Sequence, residues 1–321
     1  MFLITKNESV HNLRVINLNN MDDLKEEIFE TPFDQYEEYT SDKWTKFYLS
    51  REQRLFYENK LFQNMHSFND YASGQIGVTT GNNDFFVVNT QLVETYHLQQ
   101  YARPTLGRSV EVKGIFYTQT DLQENIANGQ KTWILDFNDQ ELSDSAYLYI
   151  SNGEANSENM GYKLGLRNRW YDVPSIWIPD AFLLRRIGEF PRILINEIKA
   201  TSTDTFHRIK FHPDVNVSKF VFLLYSSITL LTFELEGRVF GGGALEILPG
   251  DLVNIKLPEV DDLLNYNQLI MELDRMFRNR RPITEISQWV NEIIKGHCNL
   301  TNEQIDTTFE MWQTLNKRRL N

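Results

Sequence analysis

The chain has 321 residues, of which 41% are hydrophobic and 13% aromatic, and its formal net charge at pH 7 is −12. This length and composition exclude a largely disordered chain and predict about two folded domains. The single cysteine, Cys298, excludes an internal disulfide framework and a cysteine-based metal cluster, and it fits a reducing cytoplasm, where we expect the protein to be located.

The N-terminal part contains two stretches with helical spacing and acidic starts, at residues 22–30 and 50–65. Ser50 opens the second stretch and is a predicted N-cap, because its side-chain oxygen can accept a free backbone N–H of the first turn. The polar first residues do not resemble a secretory signal, and no apolar run approaches the roughly 18 residues of a membrane span. We therefore expect a helical linker here, with neither a membrane nor a secretory address.

From about Tyr71 onward, short runs rich in β-branched and aromatic residues alternate with Gly, Pro, Asn and Asp at intervals of about ten residues. This pattern predicts a mostly antiparallel, β-rich domain and not a regular alternation of strands and helices. The predicted strands lie within residues 75–80, 84–93, 110–118, 131–137, 146–153, 175–184, 192–200 and 207–213.

The apolar segment 216–238 is long enough for one buried helix, but its β-branched residues leave a strand equally open. Three consecutive glycines, Gly241 to Gly243, follow it. A glycine loop that binds a phosphate or a nucleoside cofactor needs a helix directly after it. Because only "ALEIL" separates Gly243 from the chain-breaking pair Pro249-Gly250, we interpret the glycines as a bend or bulge between two strands, at residues 221–235 before it and 244–248 after it.

Three amphipathic stretches follow, at residues 259–277, 283–296 and 301–320, and predict a helical tail. Thr301 is the predicted N-cap of the last helix, and Gly296 the predicted end of the middle one. The fold class predicted from the whole pattern is α+β. Its predicted parts are a helical linker at 1–63, a mostly antiparallel β-rich domain at 64–258 and a helical tail at 259–321.

Positive charge is concentrated in residues 161–212, which carry 9 basic and 5 acidic side chains together with His207 and His212. A local positive stretch in an acidic protein is compatible with a face that contacts DNA. A solvated surface with scattered arginines explains it equally well.

Polar loops supply the candidate contact residues. Short hydroxyl and amide side chains that meet phosphates or base edges, and arginines next to aromatic rings, suit nucleic-acid binding. A plain hairpin explains the first of these loops equally well, since Gly81 can adopt positive φ. The candidates are Thr79, Thr80, Asn82, Asn83, Arg103, Arg108, Lys113, Arg167, Arg169, Trp170 and Tyr171.

A second class of function is also open. Pro179-Asp180 followed by Glu197-Ile198-Lys199 matches the PD-(D/E)xK pattern of magnesium-dependent nucleases, in which two carboxylates hold the metal and a lysine stabilises the attacking water. The pattern is short, and Glu111-Val112-Lys113 matches half of it. No serine-hydrolase motif and no metal-ligand spacing of histidines is present in the sequence. A β-rich domain that binds protein or small molecules is a third possibility.

Several motifs together resemble the C-terminal target-recognition half of bacterial adenine-N6 DNA methyltransferases from restriction–modification systems. The segments are "GQIGVTTGNNDFFVVN", "RPTLGRSVEVKG", "RNRWYDVP", "ATSTDTFHRIKF" and "ELEGRVFGGGALEILPGDLVNIKLP". They occur in the order of the family, the resemblance covers roughly residues 40–258, and "TDTFHR" and "GRVFGGGALEILP" are its most specific parts. The first 24 residues are similar to the last strands of the catalytic domain, and the end is similar to the closing helical tail.

The resemblance implies a recognition subunit or fragment, because the sequence has neither a [D/N]-P-P-[Y/F] motif nor a glycine loop for S-adenosylmethionine. A catalytic partner would supply both, and duplex DNA would lie between that partner and this chain. No catalytic, cofactor-binding or metal-binding residue is therefore expected in the chain itself. Thr205, His207 and Arg208 join the implied DNA-contacting residues, with Asp204 and His207 organising the loop that carries Arg208, unless this segment is only a structural turn. The contacts would help to open the duplex so that the partner can flip adenine.

Overall fold

The computed structural model describes residues 12–13, 37–38, 43–61, 65–138 and 140–321. These residues belong to two compact units, Met1–Gln63 and Asn64–Asn321. The sequence-based boundary between the β-rich domain and the tail stays a prediction, and the tail helices lie within the second unit.

In the first unit, β1 (Asn12–Leu13) pairs antiparallel with β2 (Glu37–Glu38). A 3-10 helix, Trp44–Tyr48, precedes α1 (Arg51–Phe56), which continues as a π-helical turn, Tyr57–Leu61. Ser50 caps α1 as predicted, because its Oγ accepts from the backbone N–H of Gln53 at 3.2 Å and the Gln53 side chain accepts from the Ser50 N–H at 3.0 Å. The predicted helix at residues 22–30 lies outside the described residues.

Fourteen strands are described in the second unit. They are, in chain order, β3 (Met65–Ser67), β4 (Ala72–Ile76), β5 (Val87–Val88), β6 (Ala102–Leu106), β7 (Phe116–Tyr117), β8 (Trp133–Leu135), β9 (Ala181–Leu184), β10 (Arg186–Ile187), β11 (Ile193–Asn196), β12 (Thr201–Ser202), β13 (Phe206–Phe211), β14 (Arg238–Val239), β15 (Leu245–Glu246) and β16 (Lys256–Pro258).

The helices of this unit alternate with the strands and then follow them. They are α2 (Phe68–Tyr71), α3 (Asn83–Phe86), α4 (Thr90–Thr95), α5 (Gln119–Ala127), α6 (Asp144–Ala155), α7 (Tyr162–Gly165), α8 (Val217–Leu223), α9 (Ser227–Glu236), α10 (Tyr266–Arg278), α11 (Ile283–Ile294) and α12 (Asn302–Leu320). Short 3-10 helices lie at Gln99–Tyr101, Ser109–Glu111, Gly241–Gly243 and Pro249–Asn254.

The central sheet has five strands in the order β4-β13-β9-β11-β7. Strand β13 is antiparallel to β4 on one side and to β9 on the other, with Ile209 opposite Gly74 and Ala181. Only the pair of β11 and β7 in this sheet is parallel. A four-stranded sheet, β12-β6-β8-β5, lies beside it, and β10-β15-β14 form a small third sheet. The fold is α+β with largely antiparallel pairing, as predicted.

A separate apolar cluster lies between β4 and β9 in the sequence, and it corrects two predicted strands. Residues 146–153 lie inside α6, and residues 84–93 cover parts of α3 and α4 with β5 between them. Helix α6 buries Ala146, Tyr149, Ile150 and Gly153 in this cluster, at the spacing of one helix face. The aromatic alternation of "AYLYI" resembles a strand, but packing of a helical stripe against Phe85 determines the structure.

Residues 216–238, for which a helix and a strand were both open, form α8 and α9, with the two-residue β14 following from Arg238. Asn216 caps α8, and Ser226 caps α9. Every residue of α9 from Ser227 to Leu235 is buried, so the helix lacks the polar stripe that would have identified it. No single described helix is long and apolar enough to cross a membrane; α8 and α9 pass that test together by length and composition, but they are bent by 70° at their junction.

The predicted helical tail is confirmed as α10, α11 and α12. The first helix begins at Tyr266, seven residues later than the predicted stretch, and Asn265 caps it. Thr301 forms the expected capping box with Gln304, and Gly296, just beyond the end of α11, has φ +78°. Helix α12 packs against α9 through a buried ion pair between Arg319 Nε and Glu234 Oε2, 2.7 Å apart.

Candidate nucleic-acid interface

Four segments meet at one end of the central sheet, where β4 and β9 end and β13 begins. We call this end the loop edge and define it as residues 77–80, 107–114, 185–189 and 203–205. Backbone hydrogen bonds connect the segments: Gly77 donates to Phe206, Val78 to Ser202, Thr203 to Leu106 and Arg185 to Thr205, over 2.7 to 3.3 Å. The loops are therefore held in fixed positions relative to one another.

Glycine is required where two of these segments cross. A Cβ atom at Gly77 would lie 2.0 Å from the carbonyl oxygen of Thr203 and 2.9 Å from that of Ser202. Real side chains never approach backbone oxygens that closely, so only glycine allows this contact. The approach brings the chain from β4 directly beside the loop that precedes β13.

Three arginines of the loop edge and the small third sheet form ion pairs with buried carboxylates. Arg185 Nη2 lies 2.9 Å from Glu246 Oε1, Arg186 Nε lies 3.6 Å from the same atom, and Arg238 pairs with Asp251. The Glu246 and Asp251 side chains are only 10% and 9% exposed, whereas that of Arg186 is 73% exposed. The carboxylates orient the guanidinium groups, and the outer N–H donors of Arg186 remain available to a ligand.

Four of the sequence-predicted residues are brought together at the loop edge. Arg108 and Thr205 are exposed, Thr79 is half-buried, and Lys113 is exposed and paired with Glu124 at 2.6 Å. The segment that carries Arg108 and Lys113 is fixed from inside by Arg192, which donates to the carbonyl oxygens of Ser109, Val112 and Gly114. The role of these four residues in DNA binding stays a prediction.

A second group of predicted residues lies together around the loop 79–83. Arg167 donates to the carbonyl oxygens of Thr79, Thr80 and Trp170 at 2.7 to 3.2 Å, and its guanidinium lies over the ring of Phe86. Burial also lowers the pKa of Arg167. Arg167 therefore stabilises the loop 79–83, and its N–H donors are used for contacts within the chain.

The other members of this group also make contacts inside the protein. Asn82 caps α3 by accepting from the N–H groups of Asp84 and Phe85, and its amide donates to the backbone carbonyl of Glu158. Asn83 is exposed and accepts from Thr80 Oγ1 at 2.6 Å.

The arginine and the aromatic residues that follow Arg167 are packed as well. Trp170 donates its indole N–H to Glu154 and packs against Phe85. Arg169 forms an ion pair with Asp172 that raises its pKa, and it lies over the ring of Tyr171. Base reading by Asn82 or Trp170 would require these contacts to break.

Three predicted contact residues are buried, which corrects their assignment to a DNA-facing surface. Thr80, His207 and Arg208 are exposed by only 2%, 0% and 2%. The last two lie on β13, which has a neighbouring strand on both sides and packed layers against it, so the alternation of a surface strand does not apply. The His207 and Arg208 side chains contact neighbouring segments and are shielded from solvent.

Arg208 and His207 have specific internal partners. The Arg208 guanidinium donates to the carbonyl oxygens of Ser175 and Ile76 and lies 4.7 Å from the ring centre of Trp177, and burial lowers its pKa to about 10. His207 Nε2 donates to the carbonyl oxygen of Ile247 at 2.8 Å, and burial lowers its pKa. Asp204 is half-buried, and its carbonyl oxygen accepts from Arg185 Nη1 at 3.4 Å.

Arg103 lies on β6, three residues before its end, with its side chain 3.8 Å from that of Asp136. It is exposed, and it stays a predicted contact residue outside the loop edge.

The residues of the nuclease pattern do not converge. The strand register places Ile195 opposite Ala181, and the N–H of Asn196 donates to the carbonyl oxygen of Asp180. Asn196, and not Glu197, is therefore the cross-strand neighbour of Asp180. The Asp180 carboxylate accepts from Lys210 Nζ at 2.8 Å and from the Phe211 N–H at 3.0 Å. Among the described residues, no group of three or more His, Cys, Asp or Glu side chains is arranged to hold a metal ion.

Residues 41–295 match the family described as Type II methyltransferase M.Eco57I, C-terminal domain. The chain belongs to this family. Type II methyltransferase M.AccI from Acinetobacter calcoaceticus is 26% identical over 222 residues, which cover 65% of this chain and 38% of that protein. The resemblance to the C-terminal half of a restriction–modification methyltransferase is therefore confirmed.

Two solved structures are similar to this methyltransferase C-terminal domain. The type IIG restriction endonuclease BpuSI superimposes with a TM-score of 0.52 at 12% sequence identity, covering 84% of this chain and 32% of BpuSI. The type IIL restriction-modification enzyme MmeI, whose structure is of a complex with DNA, has a TM-score of 0.48 at 13% identity, covering 77% of this chain and 36% of MmeI. The chain thus spans about a third of the length of these proteins.

Sequence reasoning missed Arg185, Arg186 and Arg238 in this methyltransferase C-terminal domain. The first two form an Arg-Arg pair inside the basic segment 161–212, and Arg238 lies in the "GRVFGGG" motif. The available signal was therefore the adjacency of two cations in a segment already identified as positive. Their convergence around Glu246 depends on pairing of β10, β15 and β14, which sequence spacing does not reveal.

Proposed function

We propose that the chain is the DNA sequence-recognition part of a site-specific adenine-N6 DNA methyltransferase of a restriction–modification system. It would position duplex DNA for methyl transfer by a catalytic partner, a separate subunit or another domain of the same protein. The observation that carries the proposal is the loop edge, where exposed Arg108 and Arg186 and the hydroxyl side chains of Thr79 and Thr205 lie on loops joined by backbone hydrogen bonds. The family of methyltransferase C-terminal domains supports the same reading.

The loop edge has the chemistry that duplex DNA requires. Arginines neutralise phosphates and set the register of the protein on the duplex, whereas short polar side chains reach base edges. Arg108, Arg186 and Lys113 supply the positive charge, and Thr79 and Thr205 supply hydroxyl groups at the same edge. The preference for a particular sequence would then depend on which of these loops enters the major groove.

Methyl transfer itself would be performed by the catalytic partner, which would bind S-adenosylmethionine. The only run of consecutive glycines in this chain, Gly241–Gly243, forms a turn between β14 and β15 and does not precede a helix. A glycine loop of the kind that binds nucleotide-like cofactors is followed directly by a helix, whose N-terminal N–H groups face the ligand. The glycine turn therefore does not have the form of such a loop, which supports a cofactor site on the catalytic partner.

The first experiment is selection from a random duplex pool by the full chain, with and without its catalytic partner, across a series of salt concentrations. We expect enrichment of a short adenine-containing motif and affinity that falls steeply as salt rises. Absence of enrichment under both conditions would contradict the proposal. Mass spectrometry of nucleosides from DNA methylated by the complex tests adenine-N6 specificity, and methylcytosine in place of N6-methyladenine would refute that part.

A charge-matched pair of variants tests the loop edge as the contact surface. Arg108→Ala combined with Arg186→Ala should weaken binding to the selected site by at least tenfold, since each lost phosphate contact costs roughly 1 kcal/mol. Arg275→Ala combined with Arg281→Ala is the control, because it removes the same positive charge from exposed residues of the tail. Arg275 pairs with Glu272, and Arg281 pairs with Glu285. Equal loss in both variants would show that only net charge matters and would exclude the loop edge.

A further inference from the structure

The hairpin formed by β14, Gly241–Gly243 and β15 has two exposed apolar side chains next to its tip. We call residues 238–246 the glycine hairpin. Val239 is 53% and Phe240 52% exposed. The tip itself is narrow, because Gly241 and Gly242 have no side chains and are open to solvent. Two adjacent exposed apolar side chains therefore lie beside a tip that has no side chains at Gly241 and Gly242.

The reason for glycine differs among the three tip positions. Gly242 and Gly243 have φ of +77° and +73°, which L side chains rarely adopt. Gly241 has no positive φ, and a Cβ atom there would meet nothing within 4 Å. The fold of this chain therefore does not require glycine at 241, whereas close approach of another molecule to the tip would.

The glycine hairpin is held at Gly243 by the tail helix α12. Arg319, whose side chain is 2% exposed, pairs with buried Glu234 and donates to the carbonyl oxygens of Gly188 and Gly243. A Cβ atom at Gly243 would lie 2.7 Å from the carbonyl oxygen of Arg319. Because the tail helix and the hairpin are joined by these contacts, the tip has a fixed position relative to the loop edge.

One face of the small sheet combines cations with an aromatic ring. Arg186 and Arg238 lie opposite Glu246 on its two sides, so the three residues share a face. Phe240 follows Arg238 by two positions, and its N–H donates to the carbonyl oxygen of Ala244. Residues two apart on a strand point to the same side, about 7 Å from each other. The ring thus lies nearer the tip than the two guanidinium groups, on their face of the sheet.

We propose that the glycine hairpin enters a groove of duplex DNA and that Phe240 wedges against a base step there, while Arg186 and Arg238 contact the flanking phosphates. Apolar side chains inserted between base pairs unstack them and bend the duplex, and cations beside them offset the negative charge of the backbone. The wedge would lower the cost of extruding a nearby base for the catalytic partner. This inference rests on the proposed function, and it adds a site to it.

The test uses the full chain with its catalytic partner and duplexes that contain the selected sequence, with 2-aminopurine placed at each position in turn. Unstacking increases the fluorescence of 2-aminopurine. We expect an increase at one step with the parent protein, its loss with Phe240→Ala, and about tenfold weaker binding, the scale of one base–aromatic contact. Phe240→Trp should retain both signals, because an indole ring also fills the step.

Tyr147→Ala is the matched control, since Tyr147 is an aromatic residue of similar exposure, 55%, on α6 and outside the hairpin. Thermal unfolding shows whether each variant is folded. If the parent protein selects a sequence but Phe240→Ala changes neither fluorescence nor affinity, the wedge is refuted and the recognition function stands. If Phe240→Ala instead releases the catalytic partner with DNA distortion intact, the hairpin is a protein contact and the proposal is overturned. If the parent selects no sequence, the proposed function fails and the wedge fails with it.

Discussion

His207 and Arg208 are polar residues on a strand with a neighbour on each side, and both are placed by their hydrogen bonds to backbone carbonyl oxygens. His207 is fully buried, its Nε2–H donates to the carbonyl oxygen of Ile247, and burial lowers its pKa. The Arg208 guanidinium donates to the carbonyl oxygens of Ser175 and Ile76 and lies over the ring of Trp177. We expect both residues to contribute to the free energy of unfolding, and unfolding measurements test this.

The first prediction concerns pH. Burial lowers the pKa of His207 below its ordinary value of 6.5, so the unfolded chain binds a proton on this residue at a pH where the folded chain does not. The free energy of unfolding should therefore fall as pH drops below about 6.5, by up to about 1.4 kcal/mol per pH unit from this group. Urea unfolding between pH 5 and 8 measures it. His207→Gln should remove this contribution, whereas exposed His212→Gln should keep it; identical profiles for all three would contradict the assignment.

The second prediction concerns Arg208. Replacement by Ala leaves the carbonyl oxygens of Ser175 and Ile76 without their donor and opens a space beside Trp177. We expect the free energy of unfolding to fall by about 2–4 kcal/mol. Arg186→Ala, which removes a mostly exposed side chain, should change it by less than about 0.5 kcal/mol. A direct DNA role for Arg208 would be indicated instead if affinity fell while stability was unchanged.

At the scale of elements, the crossing of β4 with the segment before β13 decides the geometry of the loop edge. Gly77→Ala places a Cβ atom 2.0 Å from the Thr203 carbonyl oxygen, so one of the two backbones must move. We expect a loss of about 1–3 kcal/mol in unfolding free energy together with weaker DNA binding. Gly165→Ala is the control, because a Cβ atom at the end of α7 meets nothing within 4 Å. Chemical denaturation and binding to the selected duplex measure both effects, and parent-like values for Gly77→Ala would disprove the crowding argument.

At the scale of the whole molecule, a chain with a net charge of −12 must bind a polyanion through a local concentration of cations. If Arg108 and Arg186 each contact one phosphate, replacing either by Ala should reduce the slope of log affinity against log salt by about 1. Binding titrations between 50 and 300 mM salt, roughly the range in which such slopes are measured, test this. Arg275→Ala should leave the slope unchanged. An unchanged slope in both loop-edge variants would place the phosphate contacts elsewhere.

The sequence by itself determined the features that depend on nearby residues. Ser50 and Thr301 were recognised as N-caps because a cap needs only a short polar side chain before a helical stretch. The amphipathic period of residues 259–320 predicted the tail helices. The short segment after Gly243 has no room for a helix, and this predicted the turn at Gly241–Gly243. The motifs and their order together indicated the C-terminal half of a restriction–modification methyltransferase, which the match over residues 41–295 confirms.

Only the tertiary structure decided which side chains face outward and which elements meet. Helix α9 is buried on all sides from Ser227 to Leu235, and α6 carries aromatic residues at alternating positions, so neither has a local pattern that separates helix from strand. His207 and Arg208 look like surface residues until strands on both sides enclose them. Arg186 and Arg238 come from segments 52 residues apart and meet because β15 pairs with both of their strands. Burial and convergence depend on contacts between distant segments, and spacing along one chain does not contain that information.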